Sequence, residues 1–108
     1  MALTNKILSQ SEVVGNFFIS EVETTFDSSY LEGGESFKPS DAGLQSFNHV
    51  FCNMKMGTEG SEKWVGDPWY GSEKLHLNDH KTGKEVASAV NCEKVKVISL
   101  CFGKGRAK

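Results

Sequence analysis

No stretch of this sequence approaches the roughly 18 consecutive apolar residues that a membrane span needs. No charge of one sign dominates, since 12 Lys and Arg stand against 14 Asp and Glu for a net charge of −2. Binding held by phosphate contacts wants a basic surface, and an anionic lipid surface wants a polybasic one. Neither nucleic acid nor a membrane is therefore an expected partner. Cysteine is sparse and odd in number, with Cys52, Cys92 and Cys101 alone. Three thiols do not build a disulfide framework, and each sits in or beside an apolar run where a small buried thiol is ordinary. Met1 to Gln10 lacks the basic, apolar, small-residue order of a secretion signal, so synthesis in a cytoplasm with reduced cysteines is expected. There is no heptad, no internal repeat and no helical periodicity longer than a turn or two.

What is present is β-pattern. At 108 residues the chain is one domain, long enough to bury a core without staples. Met1 to Glu12 is polar and mixed, and reads as an N-terminal arm or a first short strand. From Val13 to Phe26 the residues alternate. Phe18, Val22, Thr24 and Phe26 share one parity, with Ser20 the exception, and Glu21, Glu23 and Thr25 take the other face. Gly15 and Asn16 mark a bulge or bend in that run. Ser40 is the expected N-cap of a single helical turn ending near Gly43. Ser46 to Met54 carries Phe47, Val50, Phe51, Cys52 and Met54, and reads as a central strand buried on both sides. Glycines and Pro68 punctuate 55–72 and leave room for short strands near Lys63 to Val65 and Trp69 to Tyr70. Lys74 to Asn78 alternates as a half-buried strand, followed by a hairpin-type loop. Glu85 to Ala89 suggests a brief strand, and Glu93 to Phe102 the strongest one. The expected fold is an all-β single domain over 13–103, a jelly-roll-like β-sandwich or a small barrel. A flexible basic tail, 104–108, follows it.

The most informative stretch is Phe26 to Glu35. Asp27, Ser28 and Ser29 can fold side-chain oxygens back onto nearby amides, and Gly33 and Gly34 can take positive φ. Tyr30 is the one large ring there, expected to plug the core with its hydroxyl in water. The stretch reads as a shaped corner between two sheets.

Candidate chemistry is thin. His76 and His80 lie four apart with Asp79 between them, but that spacing aligns ligands on a helix and not on a strand. They read as solvated surface histidines. Cys52 and His49, three apart on a strand, face opposite ways and read as packing. Glu32 and Glu35 beside Asp27 offer oxygens for Ca²⁺ without the spacing of a calcium loop, and read as a solvated turn. No cofactor, metal or catalytic residue is expected. Trp64, Trp69 and Tyr70 are the binding candidates, as interface anchors, as a stacking surface for sugar rings, or as a cap on the core. Lys104, Arg106 and Lys108 could meet an acidic surface, weakly one at a time but additively over many copies.

The wording from Thr25 to Leu44, TFDSSYLEGGESFKPSDAGL, resembles small decoration (cement) proteins and related minor structural proteins of tailed-bacteriophage heads. The likeness extends to Lys74-Leu75, Glu85-Val86 and the closing strand Val95 to Leu100. It departs from that pattern at Leu31, where a proline is usual, and over 55–72. The resemblance implies a β-sandwich that sits outside the capsid of a virion, bridges major capsid protein subunits and catalyses nothing. Its implied partners are the major capsid protein and further copies of itself, as a trimer on the shell. A carbohydrate-binding β-sandwich used in adhesion is the alternative reading.

Overall fold

A computed structural model of the chain describes residues 3–27, 29–55, 63–69, 71–88 and 90–106, with the backbone alone for Arg106. The described residues form seven strands and one 3-10 turn. In chain order they are β1 (Thr4–Val14), β2 (Phe17–Thr25), β3 (Glu35–Ser36), the turn Pro39–Ala42, β4 (Leu44–Met54), β5 (Trp64–Trp69), β6 (Lys74–Asp79) and β7 (Lys96–Arg106). A four-stranded antiparallel sheet has the order β1-β2-β7-β4, and a three-stranded one the order β3-β6-β5. Together they make the expected sandwich-like all-β fold.

β2 shows why. Its buried and half-buried residues alternate without a break from Phe17 to Thr25. Phe18, Ser20, Val22 and Thr24 face the core, so Ser20 is no exception: it is fully buried, and its hydroxyl accepts a hydrogen bond from Gln10 Nε2 at 2.9 Å. A buried hydroxyl is tolerated because it is paired. Gly15 and Asn16 are not a bulge but the two-residue connection of the β1–β2 hairpin, with Gly15 at φ +55°. A first turn residue with positive φ suits a tight hairpin.

The ends of the chain hold more strand than their composition suggests. Of the two readings of the N-terminus, arm or first short strand, the strand is found, and it is longer than expected: an 11-residue edge strand paired along β2 from Thr4 to Val14. Of the expected basic tail, 104–106 belong to β7, which continues beside β2 and β4 to Arg106, and 107–108 lie outside the described residues. Gly103 looks like a strand breaker, yet a Cβ there would collide with the carbonyl of Ser46. The close pass of β4, not strand propensity, selects the glycine.

β4 is an edge strand and not a central one. The central place belongs to β7. A register shift between Phe47 and His49 breaks the alternation of β4, and Phe51 stands 60% exposed. Consecutive apolar residues here reflect two different faces, one of them uncovered. Over 63–69 a single strand passes through Gly66 and Pro68, where two short ones were expected. Pro68 is tolerated because β5 is an edge. Gly66 faces inward, where a Cβ would press on Val97 Cγ1 at 3.2 Å and Cys52 Cβ at 3.3 Å. This is a point of close approach between the two sheets. The strand expected over Glu85 to Ala89 is reduced to one bridge, Asn78 to Glu85.

The core joins Phe18, Val22, Leu44, Val50, Val97 and Cys101 of the larger sheet to Leu75 and Leu77 of the smaller. Phe26, Tyr30, Phe37, Val86, Cys92 and Val95 close it from the connections. Phe37 stacks on Phe47 with centroids 5.6 Å apart. The 3-10 turn ends at Gly43, at φ +72°, as expected. Its start is held by the Asp41 carboxylate, which accepts the Lys38 amide at 2.8 Å, and not by Ser40.

Candidate functional site

Three regions concentrate the unusual side chains: the corner at Tyr30, the outer side of the smaller sheet at Trp69, and the outer face of the larger sheet.

The corner is a knot of buried polar groups. Tyr30 is 1% exposed, so its hydroxyl is not in water as expected. The hydroxyl donates to Glu85 Oε2 at 2.6 Å and accepts the Leu77 amide at 2.9 Å. Glu85 Oε2 also accepts the Gly33 amide at 2.7 Å. Burial, seconded by the hydrogen bond to Glu85, pushes the phenol well above its ordinary range, so it keeps its proton. Glu35 is no solvated turn residue either. It is 1% exposed and accepts the Leu31 amide at 3.1 Å. Desolvation holds its carboxyl above the usual carboxylate range, and the nearby Asp27 charge adds to this. Asp27 caps the turn as its sequence suggests, taking the Ser29 amide on Oδ1 at 2.9 Å. Ser28 lies outside the described residues.

Among the described residues, no group of three or more His, Cys, Asp and Glu side chains could hold a metal ion. His76 is buried, a correction to its expected place in solvent. It points to the outer side of the smaller sheet, where the Trp69 ring covers it with centroids 4.3 Å apart. On its other flank Gly34 lies so close that a Cβ there would come within 2.9 Å of the imidazole. That contact, as much as its φ of +97°, reserves position 34 for glycine. His80 sits in the turn that follows β6. Asp79 organises that turn by accepting the amides of Lys81 and Thr82 at 2.8 and 3.0 Å, the bond from Thr82 doing most to lower its carboxyl pKa.

All three cysteines are free. Burial pushes the Cys52 thiol up to about 11 and the Cys101 thiol up to about 12. Both stay protonated at neutral pH, the inert state of a packed thiol. The Cys52 sulfur lies 3.1 Å from Ser99 Oγ.

The tryptophans do not form one cluster. Trp64 and Trp69 open and close β5, about 17 Å apart along an extended strand. Trp64 is half-buried against the core and borders a depression of about 450 Å³ with Lys63, Asp79 and Lys81. Trp69 is 56% exposed. Its indole N–H donates to Asp67 Oδ2 at 2.8 Å, and Asn78 Nδ2 donates to the same oxygen at 3.1 Å. Packed at a tilt against His76 and tied to Asp67, the ring is held in place while more than half of it stays exposed. Tyr70 and Lys108 lie outside the described residues.

The third region was not read as a site. On the outer face of the larger sheet the register places Ile19 beside Phe102 and Phe17 beside Lys104. Leu100 lies between Glu21 and Phe51, and Phe102 beside His49. Phe51 meets Phe102 edge to face at 5.9 Å, and Phe17 lies 6.4 Å from Phe102. Phe51, Leu100 and Val14 are 60%, 43% and 72% exposed. Lys104 stands exposed at one end of this surface, and the backbone of Arg106 ends β7 beside Leu44. At the other end Glu23 is paired with Lys55 at 2.7 Å and Lys96 at 3.5 Å, and its pKa is lowered chiefly by the hydrogen bond from Lys55. The signal was available: Ile98, Leu100 and Phe102 alternate with core-facing Val97, Ser99 and Cys101, so β7 is apolar on its outer parity as well. Compared with known proteins, the chain matches no family model, no curated protein and no solved structure.

Proposed function

We propose that this chain is a non-enzymatic structural protein of a tailed-phage virion, made in the host cytoplasm, that binds the capsid exterior and bridges major capsid protein subunits. Trp69 carries the binding part of this reading. A large ring more than half exposed, yet fixed by one hydrogen bond and one imidazole packed against it, is preorganised for a partner. Anchors of this kind dominate interfaces because little side-chain freedom remains to be lost. The capsid part rests on the resemblance of the Phe26 to Glu35 corner to head decoration proteins. Lys104 supplies an exposed cation for an acidic shell surface.

Co-sedimentation with shells of the major capsid protein encoded in the same genome tests the reading. Binding is expected at about micromolar concentration, with Trp69→Ala weakening it about tenfold or more. Wild-type chain left in the supernatant at that concentration would end the proposal. One observation favours carbohydrate as a second reading: Asp67 and Asn78 set polar groups beside an open indole face, as a sugar platform requires. Quenching of tryptophan fluorescence by sugars, lost in Trp69→Ala, would select that reading over the first.

A further inference from the structure

The outer face of the larger sheet is an apolar surface that no described residue of the chain covers. Phe17, Ile19, Phe51, Ile98, Leu100 and Phe102 lie on it in adjoining rows, with Phe51 and Leu100 the most open of the six. A run of neighbouring apolar side chains of this kind marks an interaction surface more often than scattered exposed residues do. We propose that a second copy of this chain covers it, the two sheets packing face to face about a two-fold axis that crosses the strands near the Ile19–Phe102 row.

Size supports this occupant. Four strands about 4.8 Å apart and five outward rows about 6.8 Å apart cover about 600 Å² per copy, or about 1,200 Å² in all, within the range of specific dimers. Charge supports it more specifically. The row on one side of the axis carries Glu21 next to Leu100, and the row on the other side carries Phe17 next to Lys104. A two-fold rotation exchanges these rows. Glu21 of each copy then lies one strand away from Lys104 of the other, twice over. Among the described residues neither Glu21 nor Lys104 has an ion pair within the chain, whereas Glu23 in the next row is already matched by Lys55 and Lys96. Glu21 and Lys104 thus make the face complementary to itself across the axis, as an isologous contact requires. Two antiparallel sheets with apolar facing sides pack in this way in ordinary sandwiches, about 10 Å apart.

The inference is separate from the Trp69 part of the shell-binding reading; a dimer over this face also takes up Lys104, so the shell contact then rests on Trp69 on the other sheet. Sedimentation equilibrium of the full chain, up to about 200 µM, tests it. Twice the 11.9 kDa chain mass is expected. Phe51→Ser, on an exposed edge position, should keep the circular dichroism spectrum and weaken the dimer about tenfold or more. Glu21→Lys and Lys104→Glu should each weaken it about tenfold, and the double exchange should restore it to within about threefold of wild type. A wild-type monomer at the highest concentration, a trimer, a dimer indifferent to Phe51→Ser, or a double exchange that fails to restore would each overturn the proposal. So would a monomer whose binding to shells is abolished by Phe51→Ser, since the shell protein would then be the occupant. Loss of shell binding in Trp69→Ala with the dimer intact bears on the other reading alone.

Discussion

The corner at Tyr30 and the open face of the larger sheet depart from the usual division of inside and outside in opposite ways. The corner buries polar groups, the Tyr30 phenol and the Glu35 carboxyl, and bonds them to the half-buried Glu85 and to backbone amides. The open face shows apolar ones. In the corner the described hydrogen bonds close on the chain itself, with Tyr30, Glu85, Gly33 and Leu77 satisfying one another. On the open face no described residue of this chain covers Phe51 or Leu100. Buried polar groups with internal partners define a shape. Exposed apolar groups without a cover define a need. The first region is architecture, and the second, with Trp69, carries the two contacts proposed above.

The largest expected effect concerns the frame that both regions share. Gly103→Ala would drive a Cβ into the Ser46 carbonyl where β7 passes β4, and should cost about 3 kcal/mol or more in urea unfolding. A wild-type midpoint in that variant would mean the close pass is absent. Next comes Tyr30→Phe, which strands the Leu77 amide and removes a donor from Glu85. A loss of about 2–3 kcal/mol is expected, more than the net worth of one hydrogen bond, because buried partners are left unpaired. A loss under about 0.5 kcal/mol would show that water reaches the site and that the corner is not closed.

Glu35 gives a pH test of the same closure. Its carboxyl is held above the ordinary 4.5 by desolvation, so the folded chain binds this proton more tightly than the unfolded chain does. Its contribution is most favourable below 4.5 and is lost as pH rises through the raised folded value. Glu35→Gln can still accept the Leu31 amide and removes the titration. The variant should therefore gain stability relative to wild type as pH rises from the acid side toward neutrality. Parallel urea midpoints at every pH would contradict a desolvated carboxyl. On the outward side the expected effects on stability are smaller. Trp69→Ala should cost about 1 kcal/mol, since it uncovers His76 but opens no cavity. At dilutions that keep the chain monomeric, Phe51→Ser should stay within about 0.5 kcal/mol, because its ring is more than half exposed. A large loss in Phe51→Ser would place that residue with the core and erase the contrast between the two regions.

The alternation of β2 and the absence of helical periodicity carried the fold class, and Phe26 to Glu35 was legible as a corner from its serines and glycines. Other features depend on neighbours that a linear reading cannot supply. Gly103 resembles a frayed end until β4 is seen to cross it. His76 has the parity of a surface residue and is buried because the Trp69 ring lies against one side of it and Gly34 against the other. Tyr30 and Glu85 are 55 positions apart in the chain, so nothing local announces their bond. The open face was legible in part. The outer parity of β7 is apolar, whereas in β4 the apolar mass alone suggests burial on both sides and a central place that the sheet order does not give it. Burial follows from what lies opposite a strand as much as from the strand itself.

Hydroxyl-radical footprinting of the wild-type chain across a dilution series tests the contrast most directly. Tyr30 should be protected at every concentration, while Phe51, Leu100 and Phe102 should be oxidised when dilute and become protected together as concentration rises. Equal oxidation of those three residues at all concentrations, or ready oxidation of Tyr30 in the folded chain, would contradict the account.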